Sequence, residues 1–102
     1  MITFVLHHDL NVLANVMIAQ TEQFVAQTHE DTQMGQYMRS RLDTLRRCRV
    51  YLLAATVGDP VDELKDSLSV IRDEALSQID GSESITVVAA YNAVNEFWSL
   101  LG

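Results

Sequence analysis

Asp59-Pro60-Val61-Asp62-Glu63-Leu64-Lys65-Asp66-Ser67-Leu68-Ser69-Val70-Ile71-Arg72-Asp73-Glu74-Ala75 is the stretch that decides the fold. Its first two residues mark a helix start. An aspartate at the N-cap satisfies orphan amides, and a proline at N1 lacks only an N–H that would be unbonded there anyway. Asp62 and Glu63 fall in the first turn, where the helix dipole favours acids. Val61, Leu64, Leu68, Ile71, Ala75 and Ile79 then recur at steps of three and four, a narrow apolar stripe. The pattern predicts a helix over about 60–80, stopped by Asp80-Gly81. A helix with one apolar stripe needs other elements to cover it.

Those elements lie on both sides. Upstream, Gly58 stands where a left-handed residue closes a helix. Before it, Met34, Met38, Leu42, Leu45, Cys48 and Leu52 keep a helical seam that Tyr37 and Ala55 widen, giving a helix over about 32–57 capped by Asp31 or Thr32. His29-Glu30-Asp31-Thr32 reads as a turn. Earlier still, Leu10, Leu13, Met17, Thr21 and Phe24 form a stripe from an Asp9 cap, with Ala14, Ile18 and Val25 beside it, so a helix runs over about 9–28. Val12, Val16 and Ala19 add apolar surface on another face. Downstream, Ser82 or Ser84 caps a helix over about 83–101 with two stripes: Val87, Tyr91, Val94, Trp98 and Leu101; and Ile85, Ala89, Ala93, Phe97 and Leu100. A helix apolar on more than one face is either central in its bundle or covered by a second chain. The expectation is one all-α domain, 1–102, a compact bundle of about four helices. The alternative is an α+β fold in which the β-formers of 2–6 pair with 85–88 as two short strands.

Composition agrees with few long elements. The chain has 102 residues, one domain's length, with a single proline and four glycines, too few turn-makers for a sandwich or barrel. At 48% hydrophobic and 21% charged it can build a core rather than remain disordered. The lone Cys48 excludes an internal disulfide framework and reads as a small buried apolar residue. Met1 to His8 lacks the basic stretch of a signal peptide, and apolar runs such as Val50 to Ala55 fall far short of the roughly 20 residues of a membrane span. A cytoplasmic location is expected.

Charge is distributed unevenly. Residues 39–49 hold Arg39, Arg41, Arg46, Arg47 and Arg49 against Asp43, a net of +4, leaving −11 elsewhere in a chain of net −7. Residues 59–83 hold eight acids against Lys65 and Arg72, a net of −6. Helical angles place Arg39, Arg46, Arg47 and Arg49 away from the seam, where Asp43 can pair with the first three at i±3 or i±4. Such a face is either solvated or docks an acidic partner, including the acidic third helix of another copy. Arg41 falls inside the apolar arc. A buried guanidinium must find a carboxylate, extend to water or sit at an interface.

Other chemistry is sparse. His7 and His8 are adjacent and point apart, His29 is remote, and no Glu-x-x-His or zinc-protease spacing occurs. No metal or cofactor is expected. Gly35, Gly58, Gly81 and Gly102 are too scattered for a phosphate loop. Tyr91, Phe97 and Trp98 are core candidates, and Tyr91 and Trp98 are also candidates for an apolar interface.

Met38-Arg39-Ser40-Arg41-Leu42-Asp43-Thr44-Leu45 resembles, over these eight residues, the first-helix pattern of small all-helical chorismate mutases. That resemblance implies a dicarboxylate held by convergent arginines and a lysine. Here it falls in the second helix, and the only lysine, Lys65, lies on another element. In size and composition the chain is also similar to bacterial or phage immunity proteins and antiactivators, a likeness of class alone.

With no catalytic constellation legible, the chain is expected to be non-enzymatic: a regulator, inhibitor or adaptor, bacterial or phage, that works by protein–protein contact and forms a homodimer. Its contact residues would be Arg39, Arg41, Arg46, Arg47 and Arg49, with Tyr91 and Trp98. The first alternative is nucleic-acid binding through the arginine face, opposed by the repulsion of phosphate by the remaining acidity. The second is a small enzyme of the chorismate-mutase type.

Overall fold

Thr3, rather than Asp9, opens the first helix. In the computed structural model, which describes residues 1–77 and 85–101, α1 spans Phe4–Gln27. The Thr3 Oγ1 accepts the Leu6 amide at 3.1 Å, a side-chain cap. The early start has a tertiary cause. Ile2 is buried in the core, and its backbone is tied to the α2–α3 turn: the Ile2 amide donates to the Asp59 carbonyl at 2.7 Å, and the Gly58 amide donates to the Ile2 carbonyl at 2.8 Å. That anchor fixes where the chain turns into α1 and overrides the β preference of Phe4 to Leu6. The two-stranded alternative is thereby set aside, because residues 4–6 begin α1 and residues 85–88 begin α4.

Helix α2 spans Gln33–Ala54 and is capped by Thr32, whose Oγ1 accepts the Gly35 amide at 3.0 Å. It ends earlier than residue 57, with Ala55 as its cap. Gly58 does take the left-handed conformation, with φ of 98°, but in the turn beyond the helix rather than directly at its end. Helix α3 spans Val61–Ser77 and α4 spans Ile85–Leu100. The Asp59 carboxylate faces backwards and accepts the Thr56 amide at 2.9 Å, so it closes the turn that precedes α3. The expected stop at Asp80-Gly81, Ile79 of the stripe and the caps at Ser82 or Ser84 lie outside the described residues.

The packing order explains the apolar patterns. Helix α2 touches all three others, α4 lies against both α2 and α3, and α1 packs along α2. Within the narrow stripe of α3, Leu64, Leu68, Ile71 and Ala75 are buried, and Val61 at its start is half-buried. The broad arc of α4 is buried on both stripes, at Val87, Ala89, Ala93, Val94, Phe97 and Leu101, because two helices cover it. In α1 only one face is covered. Leu10, Ala14, Met17, Ile18 and Thr21 are buried, while Phe24, at the edge of that stripe, is 53% exposed. Met34, in the first turn of α2, is likewise exposed. The molecule is only 18 Å through its thinnest axis, about two helix layers, which leaves α1 at an edge. Among the described residues no strand is present, and no helix is long and apolar enough to cross a membrane.

Candidate functional site

The arginines of α2 radiate to different elements. Arg41 makes a two-pronged contact with Glu96 of α4, Nη1 to Oε1 and Nη2 to Oε2, both at 2.9 Å. Its side chain is 17% exposed, so the guanidinium inside the apolar arc found its carboxylate within the same chain. Arg46 pairs with Glu22 of α1 at 3.4 Å and Arg47 with Glu74 of α3 at 2.8 Å, all four side chains about half exposed. Arg39 folds back across Gly35 and donates from Nη2 to the Thr28 carbonyl at 3.3 Å, next to the end of α1. None of the ion pairs among the described residues uses Asp43. Arg49 is half-buried, one turn from both Leu45 and Leu52, and so stands on the seam side rather than opposite it. The basic helix is thus the one that neighbours every other helix, and its charge is largely met by acids those helices present.

Tyr91 and Trp98 are both half-buried. The Arg72 guanidinium lies over the Trp98 ring, 4.2 Å from its centroid, a cation–π contact that covers one face of the indole. The sequence offers no direct signal for this pair, since the residues belong to different helices.

Two concavities bear on function. A groove of about 490 Å³ between α2, α3 and α4 is lined by Arg39, Arg47, Asp43 and Glu74, with Ser40, Thr44 and Thr86. Two cations and two acids cancel there, and Arg47 is already paired with Glu74. The Ser40 hydroxyl donates to the Thr86 carbonyl at 2.6 Å. A shallower apolar hollow of about 350 Å³ is formed by Asp9, Val12, Leu13 and Val16 with Leu100 of α4.

That hollow flanks an exposed face of α1. Val5, Val12 and Val16 are 66%, 46% and 48% exposed, and Ala19 is exposed beside them. At 100° per residue these four lie within about 60° of one another, opposite the buried Leu10, Ala14, Met17 and Thr21. The sequence carried this signal in the second apolar face of the first helix, but only the packing order tells that nothing among the described residues covers it. Helix α1 contains no lysine or arginine, and its acids are Asp9 and Glu22.

Burial pushes the Cys48 thiol up to about 12, against the smaller opposing influence of Arg47, so the nucleophilic thiolate does not form near neutral pH. The three histidines stand apart: His7 Nε2 bonds the Ala55 carbonyl at 2.9 Å, His8 stacks on Phe4, and His29 Nδ1 accepts the Asp31 amide at 3.2 Å. Among the described residues no three of His, Cys, Asp and Glu converge as metal ligands would. In comparison with known proteins, the chain matches no protein-family model, no curated protein and no solved structure.

Proposed function

We propose that this chain is a non-enzymatic cytoplasmic helical protein that acts by protein–protein contact, as a regulator, inhibitor or adaptor of bacterial or phage kind. One observation carries the proposal: the outer face of α1 presents Val5, Val12, Val16 and Ala19 to solvent along a helix that has no lysine or arginine. Exposed helix positions gain nothing from β-branched valines, which have poorer helix propensity than long polar side chains. A contiguous apolar strip of this kind is what a contact surface looks like.

The five arginines enter the proposal in different ways. Arg39 and Arg41 serve the fold through Thr28 and Glu96. Arg46, Arg47 and Arg49 are the ones a partner reaches, the first two through half-exposed side chains. Tyr91 offers its half-exposed ring, and Trp98 only the part that Arg72 leaves open.

Affinity capture from extracts of the source cells tests this. The parent should retain a defined set of proteins that Val12→Glu/Val16→Glu does not. Identical capture by both would refute the α1 surface as the contact. Retardation of DNA or RNA by the parent at about 0.15 M salt, falling steeply as salt rises, would favour nucleic-acid binding instead. Turnover of a dicarboxylate that Arg47→Gln abolishes would favour an enzyme.

A further inference from the structure

We infer that a second copy of this chain covers the outer face of α1 with its own α1, laid antiparallel. The inference rests on the protein–protein reading above and names its partner. Val5, Val12, Val16 and Ala19 recur at the spacing of a coiled-coil seam, on the side of α1 opposite its core residues.

Charge selects the occupant. A partner recognised by charge would find little to engage, because Glu22 is held by Arg46 and only Asp9 is left along the strip. A two-fold dimer brings the same patch to both sides, so the patch must not repel itself. An apolar strip with a single acid near one end meets that condition in one orientation. When Val12 of one copy packs on Val16 of the other, Asp9 faces Ala19 and Val5 faces Gln23. The parallel arrangement sets Asp9 beside Asp9, which is unfavourable at a helix seam. The hollow between Val12, Leu13, Val16 and Leu100 lies at the edge of this seam and gives the second copy a recess to fill.

Size sets the expected strength. A helix of 24 residues is about 36 Å long, and a seam about 10 Å wide covers roughly 360 Å² on each copy, below the size of standard stable interfaces and in the range of weak, transient pairs. The dimer is therefore concentration-dependent.

Sedimentation equilibrium of the full chain, up to roughly 100 µM as suits an interface of that size, is the test. The parent is expected to dimerise, and Val12→Glu/Val16→Glu to stay monomeric with the parent's far-UV circular dichroism. Ala19→Lys should tighten the dimer roughly 2- to 10-fold at low salt by facing Asp9 twice per dimer, and Ala19→Glu should loosen it. The difference between them should vanish at about 1 M salt, where the Debye length is about 3 Å. A parent that is monomeric throughout overturns the inference, as does a valine double variant that dimerises like the parent. Ala19→Lys and Ala19→Glu loosening the dimer equally would overturn the antiparallel arrangement. A monomeric parent that still captures another protein through Val12 and Val16 overturns the homodimer and leaves the wider reading standing. A dimeric parent that captures nothing else does the reverse.

Discussion

Gly35 and Gly58 are both needed, for different reasons. At Gly58 a Cβ would meet nothing, so the cost of Gly58→Ala is the left-handed backbone alone, about 1–2 kcal/mol. At Gly35, in the first turn of α2, a Cβ would overlap the His29 carbonyl oxygen and press on Arg39. Gly→Ala inside a helix ordinarily stabilises by about 0.5–1 kcal/mol; here the sign should reverse, with a loss of about 1–3 kcal/mol from overpacking. Urea denaturation of both variants checks the pair, and a stabilised Gly35→Ala would contradict the close approach. Arg41 supplies a third test. Glu96→Gln leaves a mostly buried guanidinium with a weaker partner, for about 1–2 kcal/mol, whereas Glu22→Gln at the exposed Arg46 pair should cost under about 0.5 kcal/mol. Equal losses would mean that burial does not distinguish the two. Cys48 gives a pH-dependent expectation. Its raised pKa means that the fold favours the protonated thiol, so this contribution is present below the ordinary thiol range and is lost as pH climbs from about 9 towards 12. At pH about 8, where a free thiol of ordinary pKa is partly ionised, iodoacetamide should label unfolded chain and spare the native one.

At the scale of elements, what could be read in the sequence was what is local. The stripe of α3, the Thr32 cap and the left-handed Gly58 follow from residues within one or two turns of each other. The start of α1 was not legible, because it depends on Ile2 bonding to Gly58 and Asp59, far along the chain. The arginine partners were hidden for the same reason: Glu22, Glu74 and Glu96 stand 24, 27 and 55 residues from the arginines they hold. Helices α1 and α4 show the limit most clearly. Both are apolar on more than one face, and the pattern allows either a central position or an external cover. Packing gives α4 the first, and it leaves the outer face of α1 open. Thr3→Ala tests the α1 anchor. Losing the cap should cost about 1 kcal/mol and speed amide exchange in the first turn of α1, with no change around α3. Unchanged exchange at residues 4–7 would show that Ile2 alone holds the turn.

For the whole molecule, the charge map takes on a structural meaning. A net charge of −7 with a basic α2 looks like a docking surface in sequence, yet α2 is the helix through which the others are joined, and three of its arginines bind acids from three different helices. What α1 turns outward is an apolar strip, Val5, Val12, Val16 and Ala19, with the single acid Asp9 beside it. The most direct test is a distance between copies. Gln27 is exposed at the far end of α1, away from the Val12–Val16 centre, and the buried thiol of Cys48 leaves a Gln27→Cys variant one labelling site. With nitroxides at position 27, the antiparallel pairing sets the two backbone sites about 40 Å apart, from the helical rise and an interaxial distance of about 8–10 Å. Dipolar electron spin resonance should give a distance distribution centred near that value. A distribution centred near about 10–15 Å, as for a parallel pair in contact, or the absence of any intermolecular coupling at dimer-forming concentration, would contradict the antiparallel α1 contact.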